Sequence, residues 1–128
     1  MFEEKNLKDT EGRPQASYGS GSQNMSFILS YSKINKLITA LFMVTDIIDQ
    51  GEPLRHKLST LGTNILSDIY SHNSNASVKI KQTLSFLDIS LAVNLVSPMN
   101  HSILKREFLN LGQSLKQFYG KTEAMNES

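Results

Sequence analysis

The 128-residue sequence contains no cysteine. This absence excludes disulfide bonds, thiolate metal sites and a cysteine nucleophile. Long apolar runs are also missing: the richest stretch, residues 37–48, spans 12 residues and includes Thr39, Thr45 and Asp46. A membrane-spanning helix needs roughly 20 apolar residues. No apolar run follows the N-terminal charges, so we expect no secretory signal and a soluble, cytoplasmic protein.

Neither sign of charge is in large excess. The chain has 13 basic and 12 acidic side chains, for a formal net charge of +1. This balance neither requires nor excludes a nucleic-acid partner. Residues 26–120 hold nine basic and six acidic side chains, so the predicted folded part is mildly basic.

Sequence motifs for catalysis are absent as well. There is no Gly-rich phosphate loop and no Gly-x-Ser-x-Gly nucleophile motif. His56, His72 and His101 lie in different predicted elements, and none has another histidine three or four residues away. A di-metal bundle would need two Glu-x-x-His pairs and two further glutamates. The folded part contains only Glu52 and Glu107, so we expect no enzyme, no metal and no cofactor.

Four stretches carry apolar residues at the three- and four-residue spacing of helices with one buried face. The first three predicted helices cover residues 26–49, 53–70 and 76–96. Asn24 or Ser26 is the expected cap of the first helix. The fourth helix begins at a cap formed by Ser97 or Asn100 and ends at Gly120. Because the connections are short, sequential helices should be antiparallel.

These elements predict an all-α fold, an antiparallel up-down-up-down four-helix bundle with a disordered N-terminal arm. The arm, residues 1–25, mixes charges of both signs with glycine and serine and has little to bury. An alternative is that the arm becomes ordered on a partner. The bundle occupies residues 26–120 as one domain, and residues 121–128 form a flexible polar tail.

The apolar face of the first helix is unusually wide. Its buried seam is predicted at Phe27, Tyr31, Ile34, Ile38, Leu41, Thr45 and Ile48. Leu37, Val44 and Ile47 extend this face beyond the width that one neighbouring helix covers. A monomer would leave part of it in water, so the pattern favours self-association.

Basic side chains are the remaining candidates for chemistry. Basic residues lie in the first turn of the second helix and near the start of the fourth, and these two helix starts share one end of an up-down-up-down bundle. We predict a basic patch there that binds phosphates without reading bases. The alternative is that these are ordinary solvated side chains. The candidate nucleic-acid-binding residues are Arg55, His56, Lys57, Lys105 and Arg106, with Lys33 and Lys36 on the first helix.

Two stretches carry a resemblance to a known group of proteins. Residues 49–58 read Asp-Gln-Gly-Glu-Pro-Leu-Arg-His-Lys-Leu, a short turn with Glu and Pro followed by a basic cluster. Residues 85–92 read Ser-Phe-Leu-Asp-Ile-Ser-Leu-Ala, rich in leucine and small residues. In layout and size, residues 26–120 resemble small bacterial four-helix-bundle proteins. This group includes the ribosomal-RNA intervening-sequence protein family and the accessory variability determinant of diversity-generating retroelements.

The resemblance implies a non-catalytic oligomeric accessory protein. The retroelement member of the group is a barrel-shaped pentamer that binds a reverse transcriptase and its template RNA. By this resemblance, the partners of the chain would be further copies of itself, a reverse transcriptase, and RNA or an RNA/DNA hybrid, with Arg55 and Lys57 on the nucleic-acid side. An alternative is a protein–protein scaffold that self-associates through the first helix and binds no nucleic acid.

Overall fold

The computed structural model describes the backbone of residues 30–127 and the side chains of residues 30–120. Within these residues the backbone forms four helices, α1 (Tyr31–Thr45), α2 (Pro53–Tyr70), α3 (Ala76–Ala92) and α4 (Pro98–Glu127). No strand occurs in this described range, and the predicted all-α four-helix fold is confirmed. The predicted arm, the caps Asn24 and Ser26, and the seam residue Phe27 lie outside the described residues.

The helices form a closed ring of antiparallel neighbours. Backbones pack closely between α1 and α2, α2 and α3, α3 and α4, and α4 and α1, whereas α2 and α4 lie across the diagonal of the ring. Each helix directs its three- and four-spaced apolar stripe inward. The fully buried centre includes Leu41, Leu58, Ile65, Leu87 and Phe108. The predicted seam of α1 is confirmed from Ile34 to Ile48.

The ends of α1 differ from those predicted. The helix begins at Tyr31 rather than near Ser26, because Ser30 is extended and its Oγ accepts a hydrogen bond from the Lys33 amide at 3.3 Å. It ends at Thr45 rather than near Asp49. The β-branched residues that follow Thr45 have lower helix propensity, and the Arg55 guanidinium binds the Ile48 carbonyl at 2.8 Å. The chain therefore turns early, although Ile48 stays buried.

The helix α2 begins and ends where it was predicted. Pro53 occupies its first turn, where a missing N–H costs no hydrogen bond. Gly62 lies in its interior, and a Cβ atom at this position would be 2.9 Å from Leu41 Cδ2. Gly62 therefore lies at a close crossing of α1 and α2.

Two residues with positive φ terminate α2 and α3. His72 (φ 56°) follows α2, and Asn94 (φ 66°) follows α3. After each one the chain folds back, with the Asn73 amide bonding Asp68 O and the Leu95 amide bonding Ser90 O. This is the Schellman pattern that usually employs glycine. The helix α3 consequently ends at Ala92, four residues before the predicted Val96.

The helix α4 begins as predicted and extends further. Ser97 caps it, its Oγ accepting a hydrogen bond from the Asn100 amide at 3.1 Å. The prediction that the helix ends at Gly120 is wrong, since no glycine in the described range has positive φ and the backbone stays helical to Glu127. The flexibility of residues 121–128 stays a prediction. None of the described helices is both long enough and apolar enough to cross a membrane.

Candidate nucleic-acid interface

Arg55, the first residue of the predicted basic patch, forms hydrogen bonds with other residues of the bundle. Its guanidinium donates to Ile48 O at 2.8 Å and to Asp46 Oδ1 at 3.0 Å. The side chain is three-quarters buried, with 25% exposure. Arg55 thus holds the α1–α2 turn against the start of α2, and its charge is partly neutralised by Asp46.

Lys105 and Arg106, the α4 members of the predicted patch, also face carboxylates. Lys105 Nζ lies 3.3 Å from Asp88 Oδ1, and His101 Nε2 lies 2.7 Å from the same oxygen. The hydrogen bond from His101, followed by the contact with Lys105, lowers the pKa of Asp88 below its ordinary value. Arg106 lies 3.3 Å from Glu107. The helices α2 and α4 lie diagonally opposite each other in the ring of helices, and the joining of their basic residues into one patch stays a prediction.

The remaining predicted residues are exposed and differ in their surroundings. Lys57 Nζ lies 6.0 Å from the centre of the Phe86 ring, within cation–π range. His56 lies on the outer face of α2. Lys33 and Lys36 lie near the start of α1, at the opposite end of the bundle from the starts of α2 and α4. They form no ion pair within the described residues.

Charge is unevenly divided along the bundle axis. The half that contains the starts of α1 and α3 comprises residues 31–38, 62–84 and 109–120, and we call it the lysine half. It holds five lysines and one carboxylate, a net charge of +4: Lys33, Lys36, Lys79, Lys81 and Lys116, with Asp68. The other half, residues 39–61 and 85–108, holds four basic and five acidic side chains, a net charge of −1.

Four of the five lysines in the lysine half form no ion pair in the described part of the chain. They are Lys33, Lys36, Lys81 and Lys116, all exposed. The fifth, Lys79, pairs with Asp68 across α2 and α3, and both side chains are mostly buried. This pair therefore belongs to the packing of the bundle, while the other four lysines face solvent and have no ion-pair partner among residues 30–120.

Aromatic rings cluster at the end of the lysine half. Tyr31 and Tyr70 stack with ring centres 4.5 Å apart and planes within 10°. Beside them, the His72 ring lies 6.3 Å from the Phe118 ring, which meets Tyr119 edge-on at 5.4 Å. These rings come from α1, α2, the α2–α3 turn and α4. We call them the aromatic end.

Exposure differs among these rings. Tyr119 donates from its hydroxyl to Asn73 O at 3.4 Å. Burial, followed by the charges of Tyr31 and Asp68, raises its pKa. Tyr119 is thus a packed ring that anchors α4 to the α2–α3 turn. Tyr70, by contrast, is 52% exposed, so the aromatic end presents an open ring to solvent.

The sequence interpretation did not identify the aromatic end. Its members come from three stretches that are far apart in the sequence, residues 31, 70–72 and 118–119. The available signal was the antiparallel topology itself, which places the start of the first helix beside the ends of the second and fourth. Tyr31, Tyr70 and Phe118 stand at those positions.

The chemistry available at this end of the bundle is that of exposed cations and aromatic rings. Among the described residues, no group of three or more histidines and carboxylates is placed to hold a metal ion. A shallow groove of about 320 Å³ lies beside His101, Lys105 and Leu109, but a single helix lines it. Unpaired lysines beside an exposed aromatic ring provide contacts for phosphates and for flat bases. No protein-family model, curated protein or solved structure matches this chain.

Proposed function

We propose that the chain is a non-catalytic accessory protein that binds nucleic acid through its lysine half. The observation that supports this most directly is the net charge of +4 in that half, with four exposed lysines that have no ion-pair partner in the described range. An unpaired lysine gains more from a phosphate than one already paired with a carboxylate, because no resident anion has to be displaced.

The interface proposed here differs from the one predicted from the sequence. Lys33 and Lys36 remain in it, and Lys81 and Lys116 are added. Arg55, Lys105 and Arg106 are given lower weight, since each lies within 3.3 Å of a carboxylate oxygen. Lys57 and His56 lie in the half with a net charge of −1.

The wider setting of this proposal comes from the resemblance to the four-helix accessory proteins. It comprises a cytoplasmic homo-oligomer, with a pentamer as the implied form, that supports the reverse transcriptase of a diversity-generating retroelement. RNA or an RNA/DNA hybrid is the corresponding nucleic acid. A reverse-transcriptase gene beside the gene for this chain, and co-purification of the two proteins, would test that setting independently of the interface.

The interface is tested by removing equal charge from each half. The test variant is Lys33→Gln with Lys36→Gln, and the matched control is Lys57→Gln with Arg106→Gln. Binding of a short labelled RNA is followed by fluorescence anisotropy over a range of salt concentrations. Each phosphate contact on a single strand contributes about 0.7 to the slope of log K against log salt. If both lysines contact phosphates, we expect the slope of the test variant to be smaller than that of the unmodified protein by about 1.4. The slope of the control should stay close to that of the unmodified protein.

Two results would contradict the interface. Equal losses in the two double variants would indicate diffuse attraction rather than a defined surface. A larger loss in the control would restore the patch predicted from the sequence. If the unmodified protein retains no nucleic acid at low salt, the proposed function itself is wrong.

A second function, self-association as a scaffold, is favoured by the outer face of α1 and the turn after it. Phe42, Met43 and Ile47 are 40%, 62% and 74% exposed, whereas Leu37 and Val44, which were predicted to widen the face, pack against the core. A second copy of the chain suits this surface, because it lies in the nearly neutral half and avoids the repulsion between two +4 halves.

Self-association is tested by light scattering during size-exclusion chromatography. Met43→Lys with Ile47→Lys should shift an oligomer toward the monomer, while Met99→Lys, an equally exposed apolar site at the start of α4, serves as the control. An unmodified chain that elutes as a monomer at high concentration would exclude this second function. A clean oligomer without bound nucleic acid would favour it over the first.

A further inference from the structure

Tyr70 is the most exposed tyrosine in the described part of the chain, and its ring is held in place on one side. It is the last residue of α2, and it stacks on Tyr31, the first residue of α1, at a distance of 4.5 Å between ring centres. Tyr31 is itself half-buried and packed against the core. More than half of the Tyr70 side chain remains open to solvent.

A ring held in this way is suited to receive another flat group. Offset stacking requires two rings whose faces can approach in parallel, and a fixed ring loses little conformational freedom when it binds. The side chain of a surface residue normally has to give up that freedom on binding. The Tyr70 ring already stacks on Tyr31 with the two ring planes within 10° of parallel, so its side chain is restricted before any ligand binds.

The same half of the bundle supplies cations for a chain of phosphates. Lys33 and Lys36 follow Tyr31 by two and five residues on α1, and they form no ion pair within the described range. A nucleotide offers one flat base and one anionic phosphate. In a duplex both faces of each internal base are covered by their neighbours, whereas a single strand can turn a base toward a protein ring.

We propose that Tyr70, supported from behind by Tyr31, stacks with a base and makes the chain a binder of single-stranded nucleic acid. The inference rests on the proposed function, because the lysines must attract the phosphates before a base can stack. The inference adds to the proposed function the class of nucleic acid that is bound, which the charge of the lysine half alone does not determine. Lysines alone would bind duplex and single-stranded nucleic acid alike, because they contact only the phosphates.

The experiment compares a single-stranded RNA with its blunt-ended duplex, on the full chain. Variants are Tyr70→Ala, which removes the ring, and Tyr70→Phe, which keeps the ring without its hydroxyl. Stacking of one base on an aromatic side chain corresponds to about a 5- to 160-fold change in affinity. We expect Tyr70→Ala to weaken single-strand binding by a factor in that range, Tyr70→Phe to change it less than about twofold, and duplex binding to respond to neither.

A direct optical readout separates stacking from a merely structural role. The chain contains no tryptophan, so Tyr70→Trp introduces a single indole at the proposed contact. Single-stranded RNA should quench its fluorescence, with a concentration dependence equal to that of the anisotropy change. Circular dichroism spectra of the variants check that each remains helical.

The outcomes distinguish this inference from the proposed function. If the protein binds RNA but Tyr70→Ala leaves the single-strand affinity unchanged, or lowers single-strand and duplex affinities equally, the stacking role is overturned while the lysine interface stands. An indole that stays unquenched at saturating RNA would overturn it as well. If no nucleic acid binds to the unmodified chain, the interface and the stacking role both fail.

Discussion

Substitution of Gly62 by alanine tests the closest approach between two helices in the bundle. Two effects oppose each other at this site. Alanine in a helix interior is favoured over glycine by about 0.5–1 kcal/mol. The new methyl group, however, would lie 2.9 Å from Leu41 Cδ2, closer than carbon atoms pack. Leu41 is fully buried, so its side chain has little free space in which to move.

The structure indicates which effect is larger. Overpacking in a close-packed core costs about 1–3 kcal/mol, which exceeds the gain in helix propensity. Phe42 and Ile38 lie at 3.6 and 3.7 Å from the added atom, in ordinary contact, so the cost arises at Leu41 alone and falls in the lower part of that range. After the gain in helix propensity is subtracted, we expect Gly62→Ala to destabilise the bundle by about 0.5 kcal/mol.

Gly112 provides a matched control on α4. A Cβ atom there would meet only Ile80 Cγ2, at 3.7 Å, so the propensity gain is unopposed. Gly112→Ala should stabilise the protein by about 0.5–1 kcal/mol. Urea denaturation followed by circular dichroism gives both free energies of unfolding. If Gly62→Ala stabilises as much as Gly112→Ala does, Leu41 moves aside at no cost, and the close crossing does not explain the glycine.

Two further predictions concern a helix cap and an acid-sensitive ion pair. Ser97→Ala removes the oxygen that accepts from the Asn100 amide, and it should lower the free energy of unfolding by about 1 kcal/mol, whereas Ser97→Asp should restore most of it. A cost near zero in urea denaturation would show that water replaces this cap. The folded pKa of Asp88 lies below its unfolded value because of His101 and Lys105, so the unfolded chain binds more protons in the acid range. The stabilisation is therefore complete above the unfolded pKa and is lost as the pH falls through the folded one. Asp88→Asn should flatten the acid dependence of the melting temperature, and an unchanged dependence would refute this role.

The number of helices and their buried faces could be predicted because both follow from local periodicity. Ile34, Ile38 and Leu41 recur at intervals of four and three, and all three are buried. Pro53 fixes the start of α2 by its own geometry. Apolar spacing and the effect of a proline both depend on residues that are close together in the sequence.

The end of α1 and the diagonal arrangement of α2 and α4 could not be predicted in the same way. The turn after Thr45 depends on Arg55, which reaches back seven residues to the Ile48 carbonyl. The turn after α3 uses Asn94 where glycine would have been recognised. The predicted patch was based on helix starts that share one end of the bundle, which does not decide whether the two helices are neighbours. In a closed ring of four, the second and the fourth helices are opposite.

The proposed interface differs from the patch predicted from the sequence because residue type alone does not determine how a cation interacts with an anionic ligand. Arg55 and Lys105 have the same formal charge as Lys33 and Lys36, but each already lies 3.0–3.3 Å from a carboxylate oxygen. A phosphate that approaches such a pair meets an attraction and a repulsion of similar size, and the two largely cancel in water. Near an unpaired lysine only the attraction remains. Pairing depends on contacts between helices that periodicity does not specify. In the proposed interface we therefore expect the lysines that have no carboxylate partner in the described range to contribute most to phosphate binding, and these lysines lie in the same half of the bundle as Tyr70.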